Sequence, residues 1–132
     1  MPAVTIEGRT RVRVTPDDDR FSSARVARTI ACASGERRTD AWTGVPIDAL
    51  AAAADLPGET THLRIAADDF AADVPIRAAL DGLVAFDREG SRGAERGLPR
   101  FVAPNVAGER LVKRVRRLAG VALAPDEDPK LG

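Results

Sequence analysis

Residues 29–54 read TIACASGERRTDAWTGVPIDALAAAA, and they hold both the only cysteine and the only tryptophan of the chain. The β-branched and apolar run VARTIAC (26–32) predicts a strand that ends at Cys32, where Ser34 and Gly35 break it. A polar Gly-Glu-Arg-Arg stretch follows, then a Trp-Thr-Gly-Val-Pro turn. VPIDALAAAADL (45–56) predicts a helix, with Pro46 tolerated in its first turn and Pro57-Gly58 stopping it. Taken alone, Cys32 is a small buried hydrophobe, since free cysteine is among the most buried residue types. That reading leaves the arginine loop and the Trp-Gly-Pro turn behind it unexplained.

Working outward, AVTIE (3–7) and RVRV (11–14) alternate as two short strands around a Gly8 turn. TPDDDR is a turn or loop; its acidic run Asp17, Asp18, Asp19 lacks the alternation of a calcium loop and is a solvated turn. THLRIAA (61–67), FAADVPI (70–76), LVAFD (83–87) and RFVAP (100–104) are further strands, with IRAAL offering about one helical turn. Residues 110–122 support two readings. Leu111, Val112, Val115 and Leu118 lie at helical spacing, whereas RRLAGVALA suits a final strand. The expected architecture is α+β, a single domain (1–124) of short mixed β-strands with a few short helices, followed by a flexible tail (125–132).

Composition narrows the function classes. A 132-residue chain with 44% hydrophobic and 30% charged residues can bury a core, and one cysteine cannot form an internal disulfide. There is no 18-residue apolar run and no apolar leader, so the expectation is a soluble cytoplasmic protein with no membrane partner. Net charge is zero. The basic cluster Arg110, Lys113, Arg114, Arg116 and Arg117 could hold phosphates, but the absence of a helix-turn-helix or aromatic stacking signature argues for no nucleic acid partner. His62 has no second histidine to share a metal and reads as structural.

Four segments, in order, resemble the molybdopterin-binding domain of the sulfite oxidase family. The first is a strand ending in Cys32, a small loop with Ser34, Gly35, Arg37 and Arg38, then Trp42, Gly44, Val45, Pro46 and Ile47 leading into a helix. ADDFAADVPIRAAL (67–80) is similar to the family's Asp-Gly-Tyr segment and its apolar-Pro-apolar turn. LVAFDREG (83–90) resembles its Leu-Ala-Tyr strand and Asn-Gly turn. GLPRFVAPNVAGERLVKRVRRL (97–118) resembles its Gly-x-Pro, Arg-apolar-Val-x-Pro and Val-Lys signature. The likeness covers roughly residues 4–121, with departures at Asp69, Phe70 and Arg114. The N-terminal stretch that closes over the cofactor in larger members has no counterpart, so the expectation is that this part of the enclosure is missing or is supplied by a partner chain completing the pocket.

The resemblance implies a molybdopterin-dependent oxidoreductase, or its cofactor-binding subunit, performing oxo transfer at a molybdenum ligated by Cys32. Such chemistry needs a soft thiolate on a rigid strand end. Arg37 and Arg38 would lower the thiol pKa and hold a small oxyanion substrate such as sulfite. Asn105, Gly108, Arg110 and Lys113 would meet the pterin's phosphate end. With no Cys-x-x-Cys-His haem motif, electrons would leave to a separate electron-transfer partner. Each assignment has a plainer counterpart: a buried Cys32, a solvated Arg37-Arg38 loop, a solvent-facing basic stripe at 110–117, and Trp42 packing the Gly44–Pro46 turn. The alternative function is a non-catalytic binding domain that retains the fold without the cofactor.

Overall fold

Alternation in the first fourteen residues sets the first sheet. A computed structural model describes residues 3–31, 37–89, 91–92 and 97–132, without the side chains of 28–31, 37–40 and 91–92. Strands β1 (Val4–Glu7) and β2 (Arg11–Val14) form an antiparallel hairpin. Val4, Ile6, Val12 and Val14 turn inward, and Arg11 and Arg13 turn out to solvent. β5 (His62–Ala66) and β6 (Ala71–Pro75) form a second antiparallel pair. β10 (Arg117–Val121) lies between the two, parallel to β1 and antiparallel to β5, giving the order β2-β1-β10-β5-β6.

The second sheet is built on β4 (Arg37–Pro46), which pairs with β3 (Ala24–Ala31) on one side and β7 (Leu83–Arg88) on the other. β7 also pairs with β8 (Ser91–Arg92) and β9 (Arg100–Val102). The stretch 37–46, expected as loop and turn, is therefore a ten-residue strand. Two flanking strands supply its ladder on both sides, and that outweighs a polar sequence that local signals read as irregular. A bulge at Thr43/Gly44 shifts its register against β7. There Gly44 lies so close to β7 that a Cβ would overlap the Val84 carbonyl oxygen.

Helix α1 (Ile47–Ala54) begins at Pro46, which holds the N-cap position without a side-chain cap. Its buried residues Ile47, Leu50, Ala51 and Ala54 fall at i, i+3, i+4 and i+7. It ends at Asp55 in the left-handed region (φ 54). α1 packs against β1, β2 and β4, joining the two sheets, while the five-residue α2 (Ile76–Leu80) packs against β5 and β6. Trp42, Phe101, Ile6, Leu50, Leu63 and Leu118 meet in the shared core.

Of the two readings of residues 110–122, the strand holds for Arg117–Val121, preceded by one 3₁₀ turn at Gly108–Arg110. Leu111, Val112 and Val115 are buried without a helix. Their segment runs beside residues 97–101, through Arg114 N–H to Gly97 O (2.9 Å), Val115 N–H to Pro99 O (2.8 Å) and Phe101 N–H to Val112 O (3.0 Å). Arg114 takes a positive φ of 55, which a helix does not admit.

Asp73 on β6 is fully buried and the only buried charged residue among those described. Arg64 on β5 grips it with both arms, Nε to Oδ1 at 2.8 Å and Nη2 to Oδ2 at 3.0 Å. The Lys130 N–H adds a third bond to Oδ2 at 2.9 Å. Residues 130–132, inside the stretch expected as a tail, are thus hydrogen-bonded to β6.

Two outcomes follow from this packing. Gly44→Ala destabilises the fold by about 3 kcal/mol or more, because backbone rather than a yielding side chain opposes the methyl; urea unfolding measures it. Burial pushes the Asp73 carboxyl up, but Arg64 and the Lys130 N–H outweigh it and hold the group below its ordinary 3.8. A lowered folded pKa contributes stability that is present above 3.8 and lost as pH falls through the folded value. Asp73→Asn therefore costs about 2 kcal/mol at neutral pH, and its urea midpoint falls less steeply with acidification below pH 4 than that of the wild type.

Candidate functional site

The register shift at Thr43/Gly44, with Phe86 as the extra residue on β7, places Trp42 directly across from Arg88, and the β7–β9 register places Arg100 across from Ala85. Both guanidinium groups lie over the indole, Arg88 at 5.6 Å and Arg100 at 5.7 Å from its centroid. Trp42 is 1% exposed, and its Nε1–H has no hydrogen-bond partner among the described residues. A buried indole N–H is almost always paired, and leaving it unpaired costs about 1–3 kcal/mol. Here the orphan donor sits beside two fixed cations. Arg100 Nε donates to Leu111 O at 3.1 Å, which ties the cluster to the β9–β10 connection. The arrangement suits a group that is both anionic and rich in hydrogen-bond acceptors.

The residues singled out from the sequence are distributed around this cluster. Cys32, Ser34 and Gly35 lie outside the described residues, as do the side chains of Arg37 and Arg38. The backbones of Arg37 and Arg38 open β4, opposite Ala31 and Ile30 of β3. Trp42 stands further along β4, across from Val26 of β3.

Asn105, Gly108, Arg110 and Lys113 all fall in the β9–β10 connection, but they diverge. Asn105 is exposed with φ 58, and Gly108 opens the 3₁₀ turn. Arg110 reaches β6, its Nη1 donating to both Asp73 O and Lys130 O at 2.9 Å. Lys113 is exposed, with its methylene stem over Gly97, whose φ of +77 and closeness to that stem (3.0 Å from a Cβ to Lys113 Cδ) both exclude a side chain. Gly108 and Arg110 share a turn; Arg110 and Lys113 serve different neighbours. Arg88 and Arg100 escaped the sequence reading as site residues. Arg100 had a signal, the Arg-apolar-Val-x-Pro motif, while Arg88 is brought in only by the register.

No group of three or more His, Cys, Asp or Glu side chains that could hold a metal occurs among the described residues. Nor is any helix among them long and apolar enough to cross a membrane. A shallow groove between the two helices, with Asp48, Leu56, Ile76 and Leu80 in its walls, lies apart from Trp42 and both arginines.

Trp42 is the sole tryptophan, so its emission reports the site directly. Acrylamide leaves that emission unquenched until the chain unfolds in urea. Trp42→Ala costs about 3–5 kcal/mol in the same titration, through the cavity it leaves. Trp42→Phe costs clearly less, because it removes the unpaired donor while keeping a ring between the arginines.

No curated protein sequence matches the chain. Among solved structures it is similar to the sulfane dehydrogenase SoxCD from Paracoccus pantotrophus, with a TM-score of 0.79 and 23% sequence identity. The superposition covers 98% of this chain and 44% of that one, so the chain spans less than half of its structural relative. The likeness extends to the α+β fold with its two sheets and short helices. Residues 5–127 match the oxidoreductase molybdopterin binding domain, and with nearly its whole length inside that match the chain belongs to this family.

Proposed function

We propose that this chain is the cofactor-binding part of a sulfite-oxidase-like molybdoenzyme. The observation that carries the reading is the buried Nε1–H of Trp42, without a hydrogen-bond partner among the described residues, beside the Arg88 and Arg100 guanidiniums. A pterin bearing a phosphate fits that donor set, since it offers ring acceptors to the indole N–H and negative charge to the arginines. When bound, the molybdenum centre would supply two-electron oxo transfer to the substrate and pass the electrons on to a separate acceptor.

The chain's own residues then divide the remaining work. Cys32 offers a thiolate to the metal, and the positive field of Arg37 and Arg38 keeps that sulfur deprotonated. The same two arginines orient a small oxyanion substrate by paired hydrogen bonds. Asn105, Gly108 and Lys113 line the approach to the phosphate end. Arg110, with one terminal nitrogen already serving two backbone carbonyls, holds the Gly108 turn in place. A partner chain completes the enclosure. The competing reading, a binding domain that keeps the fold without the cofactor, draws its support from Arg110, whose hydrogen bonds serve the fold.

Expression in a host that synthesises the cofactor distinguishes the two. The expected result is stoichiometric molybdenum and pterin in the wild type, with a thiolate-to-metal absorption band that Cys32→Ser abolishes. A folded wild-type chain from the same host with neither molybdenum nor pterin overturns the proposal in favour of the non-catalytic domain.

A further inference from the structure

The free edge of β6 is filled by the chain itself. β6 ends the order of the first sheet, and its outward N–H and C=O groups would otherwise present an open ladder. Lys130–Gly132 takes that place through a single antiparallel bridge, Leu131 opposite Ala72. Asp73 N–H donates to Lys130 O at 2.8 Å, and Gly132 N–H donates to Ala71 O at 2.9 Å. The Asp73 carboxylate accepts from Lys130 N–H, and Arg110 clamps the carbonyls of Asp73 and Lys130 together. The edge thus recognises backbone, through one buried carboxylate and one guanidinium. Apolar burial adds little, because Leu131 remains 46% exposed.

The connection from β10 to this segment is solvent-exposed and lightly held. Residues 124–130 are all exposed and include Pro125 and Pro129. They leave the sheet after Leu123, whose N–H donates to Thr61 Oγ1 at 2.8 Å. Between that anchor and Lys130 the described bonds are local, joining Ala124 to Glu127.

We propose that the β6 edge is a strand-acceptor surface, and that its second occupant is the Lys130–Gly132 segment of another copy of this chain. Exchange keeps every bond at the acceptor and alters only the connection, the usual condition for domain swapping. Direct pairing of two β6 edges is disfavoured, because it would bring two Asp73 carboxylates together in a buried interface. The segment from a second copy brings Lys130 N–H to that carboxylate instead.

Shortening the connection tests this. Seven residue steps separate Leu123 from Lys130, and deleting Asp126–Asp128 leaves four, spanning at most about 14 Å when fully extended. The path from β10 past β5 and β6 to the added segment is three strand spacings, about 14 Å, before any advance along the strands. The shortened connection is then no longer than this minimum path, so closure within one chain is disfavoured and exchange becomes the easier way to fill the edge. The expected result is about a ten-fold rise in the dimer fraction by light scattering. The Asp73 amide stays protected from hydrogen exchange, and adding Arg110→Ala returns the protein to monomer. A shortened chain that stays monomeric with a freely exchanging Asp73 amide overturns the proposal, as does a dimer indifferent to Arg110→Ala. If the shortened chain does not fold, replacing Asp126, Glu127 and Asp128 with prolines stiffens the connection at full length and is read by the same outcomes.

Discussion

Strand β4 lies against β7 only because Gly44 has no side chain, and the rest of the candidate site follows from that approach. The bulge beside it shifts the ladder by one residue, which brings Arg88 opposite Trp42. Across β7, the same face receives Arg100 from β9. The indole is thereby enclosed in protein with two guanidiniums over it, and its donor has no partner among the described residues. A fold does not gain from this arrangement, since buried polar groups without partners are costly. The cost becomes intelligible in a family whose members bind an anionic, acceptor-rich cofactor.

Among the described residues, arginines pair locally with carboxylates: Arg9 with Asp55, Arg11 with Glu7, Arg20 with Asp18, Arg25 with Glu89, Arg64 with Asp73, and Arg116 with Asp68. The exposed pairs contribute little stability, whereas Arg64–Asp73 reaches into the sheet and also orders residues at 130–132. The basic stretch 108–118 does not act as one stripe either. Arg110 turns to β6, Arg116 to Asp68, and Arg117 stands outward on β10.

What could be read in the sequence was whatever local chemistry decides. The β1–β2 alternation, the strands from 61 onward, the apolar face of α1 and its stop near Pro57 are all written in neighbouring residues, and the structure follows them. β4 was illegible because Arg-Arg-Thr-Asp carries no strand pattern; two partners distant in sequence impose it. Residues 111–115 misled in the opposite sense, since their spacing is helical but the neighbouring strand at 97–101 captures their backbone. Cys32 was legible as a candidate through motif order alone. The Trp42–Arg88 pairing depends on a register shift that no single sequence displays.

The parallel pairing of β1 with β10 has a bearing on how the protein is made. β10 joins two hairpins into one sheet, so residues 4–7 await a neighbour that arrives only with residues 117–121. During synthesis the opening hairpin emerges from the ribosome with one edge bare until nearly the whole domain has followed it. Contacts this remote in sequence slow folding and expose nascent strands to misassociation. Until then β1 has β2 as its only partner in the sheet, and its other side carries the whole of that delay.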